Sequence, residues 1–165
     1  MTAPVFEPGW ATKAGLMQVK PPAADDDPRR ATDRLMIAEC IHRYGWGYDE
    51  RDPDLLAACF TTDAIWEGSL MGAERVGPFQ GTEAILGFLG EFWTVQKDQR
   101  RHIFTNVVVD DLTDDRAVAH AYLLLTSSAD AVMTPVLNGP YRLVMRKQQG
   151  VWRIAHLVGA FDAPY

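Results

Sequence analysis

Two hydrophobic periods divide the chain: apolar residues recur at helical spacing from about residue 32 to 93, and from 101 onward they alternate as in strands. Ile37, Ile41, Tyr44 and Tyr48 define one buried stripe, so a first helix is predicted from a cap at Thr32 or Asp33 to about Asp49, where Gly45 and Gly47 weaken its last turn. Asp52-Pro53 is an N-cap followed by proline in the first turn and opens a short second helix with Leu55, Leu56, Cys59 and Phe60 on its apolar face. Ala64-Ile65-Trp66 reads as a short strand. Gly81-Thr82-Glu83 opens a third helix whose buried face is Ile85, Phe88, Leu89, Phe92 and Trp93.

Segments 101–110, 116–127, 132–147 and 151–161 are rich in Val, Ile, Leu, Tyr and Phe, with breaks at Thr113-Asp114-Asp115, Ser127 to Asp130 and Gln148-Gln149-Gly150. Three helices followed by long antiparallel strands predict an α+β domain over 31–165. A sheet of such strands curls, and helices laid on its concave face leave a cone with one blind pocket. Residues 1–30 read differently: Pro4, Pro8, Pro21, Pro22 and Pro28 interrupt any continuous helix or strand, so this segment is an N-terminal arm. Its Phe6, Trp10, Leu16 and Met17 fit either a flexible extension or an arm packed over a pocket mouth or a neighbouring subunit.

Composition narrows the functional classes. A net charge of −6 without any run of Lys and Arg argues against a nucleic-acid surface. No apolar stretch is long enough to cross a membrane, and the N-terminus lacks the order of a secretory signal, so a cytoplasmic protein is expected. Cys40 and Cys59 sit in apolar helical contexts and read as buried free thiols. Glycine-rich phosphate loops, a Gly-x-Ser-x-Gly elbow and Cys-x-x-Cys are all absent, which leaves nucleotide-dependent transfer and serine hydrolysis without support.

The residues most suggestive of chemistry are Asp49 and His102. A carboxylate at a helix C-terminus is repelled by the last carbonyls and needs a donor partner; a histidine held by it in one tautomer is a competent general base. Strict alternation places His102, Phe104, Asn106 and Val108 on one face of their strand. Read alone, a strand histidine is more often structural and an aspartate ending a helix more often solvated.

The ordered set Tyr44-(x)3-Tyr48-Asp49-(x)2-Asp52-(x)2-Leu55, Phe60-Thr61-Thr62-Asp63-Ala64-Ile65-Trp66, a glycine-led helix, Arg101-His102-(x)2-Thr105-Asn106 and a closing Gly150-Val151-Trp152-Arg153-Ile154 strand resembles the SnoaL-like, scytalone-dehydratase-type proteins of the nuclear transport factor 2-like superfamily. The resemblance covers about residues 32–160. It implies that Asp49 and His102 form the base of a lyase or isomerase that removes a proton beside an electron-withdrawing group. Tyr44 or Tyr48 then gives the hydrogen bond to the enolate or leaving oxygen, and neither metal nor other cofactor is required. Scytalone dehydratase uses a second strand histidine where this chain places Ser128, so scytalone itself is not the expected substrate. The resemblance further implies a homodimer or homotrimer acting on a cyclic, largely apolar small molecule such as a polyketide, steroid-like or aromatic intermediate.

Trp46, Trp66, Phe88, Phe92, Trp93 and Phe104 are candidates for the pocket wall, and Asn106, His120, His156 and Asn138 for further polar contacts. Asn138 lies in an Asn-Gly-Pro run that also reads as a turn or bulge. The histidines lack metal-ligand spacing. Two other functions use the same fold: the non-catalytic β subunit of a ring-hydroxylating dioxygenase, and a ligand-binding domain without chemistry. A limonene-type epoxide hydrolase needs an Asp-Arg-Asp group that finds no placement here.

Overall fold

Each Asp-Pro step in this chain starts a helix in the computed structural model, which describes residues 9–24 and 27–163. Asp27 accepts from Arg29 N with Pro28 in the first turn of α2 (Pro28–Asp49), and Asp52 does the same for Leu55 N at the start of α3 (Pro53–Ala58). Helix α2 therefore begins a turn earlier than Thr32, and Asp33 lies inside it. That carboxylate is buried and accepts from Trp152 Nε1 and Lys147 Nζ, both at 2.7 Å, which fastens the start of α2 to the last hairpin of the sheet.

The arm contains one helical turn, α1 (Trp10–Lys13), where no regular structure was expected. Trp10 lies beside Gly72, Met17 is buried, and Lys20 binds Asp110 through its backbone and Asp111 through its side chain. Phe6 falls outside the described residues.

Six strands form one curved, unclosed sheet in the order β2-β1-β6-β5-β4-β3: β1 (Phe60–Leu70), β2 (Glu74–Gln80), β3 (Gln99–Asp110), β4 (Arg116–Ala129), β5 (Val132–Gln148) and β6 (Val151–Phe161). The last four match the alternating segments of the sequence. Strand β2 was not anticipated, because its only side chains with a core signal are Val76 and Phe79. The ladder is antiparallel except between β1 and β6, which run parallel. Helices α2 and α4 (Thr82–Val95) lie on the concave face, and the core fills the space between, with Ile37, Ile41, Leu56, Leu143, Ile154 and Leu157 fully buried.

Two glycines expected to weaken α2 instead let it pack. A Cβ on Gly47 would stand 2.8 Å from Leu56 N and 2.9 Å from Leu56 Cα, so α2 and α3 touch backbone to backbone. A Cβ on Gly45 would meet His102 Cβ at 3.1 Å, which shows how closely α2 lies against β3. Gly139 in β5 has a φ of 156° and a Cβ there would reach Ala160 O at 2.0 Å, so the Asn-Gly-Pro run is a tight strand crossing and not a turn.

Two stability predictions follow from these contacts. Gly47→Ala should cost about 1–3 kcal/mol by overpacking, whereas Gly87→Ala, whose new Cβ meets nothing within 4 Å, should be neutral or stabilising by up to about 1 kcal/mol; urea melts of both variants decide this. Burial pushes the Asp33 pKa up, but the bonds from Lys147 and Trp152 outweigh it and hold the carboxyl below its ordinary value. A depressed folded-state pKa contributes stability that is complete above the unfolded value of about 4 and is lost as pH falls through the lower native value. Asp33→Ala should therefore cost about 2–3 kcal/mol at neutral pH, and the gap from wild type should narrow below about pH 4. An equal gap at both pH values would refute the ion-pair account.

Candidate functional site

The C-terminal end of α2 and the inward face of β3 meet through one carboxylate. Asp49 Oδ1 lies 2.6 Å from His102 Nδ1, and Asp49 Oδ2 accepts from the His102 backbone N–H at 2.7 Å. Both oxygens thus hold the same residue, one fixing its backbone and the other its ring. Each of the two side chains is 6% exposed. With Asp49 as acceptor, the ring proton sits on Nδ1 and the Nε2 lone pair is free to take a proton. The Asp49 carbonyl accepts from Gln99 Nε2 at 2.9 Å, and Arg101 pairs with Glu50 at 2.6 Å, so the helix end is tied to β3 on its outer side too.

His102 lines a cavity of about 230 Å³ between the concave sheet and α4. Trp66, Phe88, Leu89, Phe92, Leu123 and Leu125 make most of its wall apolar. The polar groups facing it are few: Tyr44, Tyr48, Gln96, Arg100, His102 and Tyr141. The Tyr48 ring lies 4.8 Å from the His102 ring and its hydroxyl donates to Gln96 Oε1 at 3.3 Å. The Tyr44 ring meets His102 edge-on at 6.0 Å, and its oxygen accepts from Trp66 Nε1 at 3.4 Å. Burial holds the Tyr44 phenol well above its ordinary pKa, against the lowering effect of Trp66 and Tyr141, so it remains a donor and never a base near neutral pH.

Of the other residues singled out in the sequence, Trp66 and Phe92 line the cavity. Phe104 stacks on His102 at 6.0 Å and meets Tyr141 edge-on at 5.4 Å, and Trp93 packs on Tyr48 at 5.8 Å, so both support the site from behind. The remaining candidates lie elsewhere. Trp46 is 61% exposed, on the outer side of α2. Asn106 has a φ of 53° at a bulge where the β3–β4 register shifts between Thr105 and Val108. The extra residue turns Asn106 and Val108 out to solvent and brings Val107 and Val109 inward. His120 points from the opposite face of the sheet, between Val108 and Arg142. It is 4% exposed with neither ring nitrogen hydrogen-bonded, and burial pushes its pKa down despite Asp110 at 3.8 Å. Asn138 bonds the Asp162 carboxylate at 3.2 Å outside the cavity. His156, on the same outer face, bonds Glu67 at 2.8 Å.

Tyr141, Gln96 and Arg100 were not foreseen. Tyr141 carried a usable signal, since Leu137, Tyr141, Leu143 and Met145 alternate inward along β5. Among the described residues no group of three His, Cys, Asp or Glu is placed to hold a metal ion, and no helix is long and apolar enough to cross a membrane.

The SnoaL-like domain model matches residues 29–158. No curated protein matches the chain. Among solved structures it is similar to a Mycobacterium tuberculosis protein of unknown function, at 23% identity and a TM-score of 0.72 over 84% of this chain and 78% of that one. It is also similar to a nuclear transport factor 2-like protein with a cystatin-like fold from Novosphingobium aromaticivorans, at 20% identity and a TM-score of 0.67 over 83% and 91% of the two chains. A proposed β subunit of an aromatic-ring-hydroxylating dioxygenase from the same organism aligns at 12% identity and a TM-score of 0.70 over 83% and 94%. At these identities the solved structures speak for the fold alone, while the match over residues 29–158 places the chain in the SnoaL-like family of the nuclear transport factor 2-like superfamily.

Proposed function

We propose that the protein is a cofactor-independent lyase or isomerase in which His102 is the general base, Asp49 orients it, and Tyr44 or Tyr48 donates to the oxygen that gains charge. The observation that carries this reading is the 2.6 Å contact between Asp49 and His102 Nδ1 at the wall of an apolar cavity. Nε2 takes a proton from carbon beside a carbonyl, and Asp49 stabilises the imidazolium that results. The electrons move onto the carbonyl oxygen, where a buried phenol donates a hydrogen bond. Collapse of the enolate then expels a β-hydroxyl, which takes the proton from the His102 imidazolium and leaves as water, or the imidazolium returns that proton at a new carbon. The apolar wall keeps water from quenching the enolate and suits a one- or two-ring substrate.

The scaffolding alternative draws on the similarity to a dioxygenase β subunit, but a scaffold has no use for a base held by both oxygens of a carboxylate. The exposed apolar residues Ile103, Tyr122 and Leu124 on the outer sheet face suit self-association as a homodimer or homotrimer. A reducing cytoplasm fits the two buried free thiols, Cys40 and Cys59.

Proton abstraction is testable before a substrate is known. Wild type should accelerate deuterium exchange at the carbons flanking the 2-tetralone carbonyl in heavy water, followed by NMR. His102→Ala should remove that acceleration, and Asp49→Asn should reduce it by about 10²-fold or more, both with unchanged circular dichroism. Tyr44→Phe should slow exchange by about 10- to 100-fold. Full exchange activity in His102→Ala sinks the assignment. Light scattering should return two or three times the 18.4 kDa chain mass; a monomer would contradict self-association.

A further inference from the structure

Among the described residues that line the cavity, Arg100 is the only permanently charged cation. It precedes His102 by two residues on β3, so both side chains project from the inward face with their Cα atoms roughly 6–7 Å apart. An arginine on this face must be lifted out of water, since its side chain is only 19% exposed. Stability alone does not call for that arrangement, because a cation beside an apolar wall costs desolvation that an exposed arginine avoids.

Its partner is held in turn. Asp98 Oδ2 lies 2.5 Å from Arg100 Nε, and the Asp98 side chain is 14% exposed. The Ser127 side chain bonds Asp98 and, with Arg100, keeps its carboxyl below the ordinary pKa in spite of burial. Asp98 is not part of the cavity wall, so it grips the guanidinium from behind. The contact uses Nε, which leaves the four Nη donors untouched by it. Gln96 lines the cavity too; its Oε1 is taken by the Tyr48 hydroxyl, which leaves its amide hydrogens to donate. These two side chains therefore offer donors, while most of the remaining wall offers aromatic and aliphatic surface.

A group that only accepts hydrogen bonds and carries negative charge complements these donors, and a flat ring complements the apolar wall. We infer that the substrate is a ring acid whose carboxylate lies against Arg100, with Asp98 as a positioning residue and the ring directed toward His102. The inference deepens the reading above and rests on its assumption that this cavity receives the substrate. It does not need His102 to be a base.

Quenching of Trp66 fluorescence by a probe bound against it gives the test, with 2-naphthoate and its neutral relative 2-acetylnaphthalene as probes. Wild type should bind the acid at least tenfold more tightly, with a preference that weakens as salt is raised. Arg100→Met should bind both probes equally, and Arg100→Gln, which keeps a polar contact to Asp98 should the methionine variant fail to fold, should do the same. His102→Ala should keep the preference, so loss of proton exchange and loss of acid recognition are separate outcomes. Equal wild-type affinities, no measurable binding of the acid, or a preference that survives in Arg100→Gln would overturn the assignment. A preference lost only in His102→Ala would overturn it as well, by moving acid recognition to the Asp49–His102 pair.

Discussion

The grip of Asp49 on both the backbone and the ring of His102 is the contact on which the geometry of the cavity depends. A carboxylate at a helix C-terminus faces carbonyl dipoles of its own sign, so it is stable there only if donors meet it. Strand β3 brings two donors from one residue, and the glycine at position 45 allows the strand close enough to deliver them. The requirement is mutual: the backbone bond fixes the height of β3 against α2, and the ring bond fixes the tautomer and the direction of Nε2. Any shift of the helix relative to the strand would disturb both bonds together, so the geometry of the Asp49–His102 pair and the packing of α2 are one constraint.

The same helix is pinned at its other end by Asp33, which reaches Trp152 and Lys147 across the β5–β6 hairpin. Sixteen residues separate Asp33 from Asp49, which is about 24 Å along the axis and roughly 160° around it. A flat sheet could not receive side chains from such different sides of one helix. Strands that curl around α2 can, and the two carboxylates therefore demand the same concave surface that the long, twisted strands produce. Packing by Ile37 and Ile41 fills the stretch between the two anchors.

Much of this was readable in advance because it depends on period and on short local signals. The stripe from Ile37 to Tyr48, the Asp52-Pro53 cap and the four alternating segments rest on side-chain burial that repeats along the chain, and the family resemblance strengthened the pairing of Asp49 with His102 that the residues themselves suggest. Asp27-Pro28 carried the same cap signal as Asp52-Pro53 and was overlooked behind the threonine and aspartate that follow. The misses along the strands share a physical cause, since they depend on pairing between distant strands, whereas Trp46 lies off the Ile37–Tyr48 stripe of its own helix. A bulge at Asn106 inverts the alternation beyond it, so Asn106 and Val108 leave the face that His102 and Phe104 keep. His120 and Asn138 were misassigned because the face a strand residue takes is set by register with its neighbours, which no local pattern encodes.

The polar composition of the cavity has a logic of its own. In an apolar enclosure every polar group must either find a partner or carry a function. Tyr44 is partnered by Trp66, Tyr48 by Gln96, Arg100 by Asp98, and His102 by Asp49. Each of these contacts satisfies one side of its group and leaves hydrogen-bonding capacity on residues that line the cavity: amide hydrogens at Gln96, guanidinium hydrogens at Arg100 and a ring lone pair at His102. One acceptor and several donors around an apolar floor form an asymmetric set, in which the acceptor can take a proton and the donors can receive the charge left behind. A merely structural polar core would close these valences on one another. Here they belong to residues that line the space between the sheet and α4, an arrangement that suits the proton transfer proposed above.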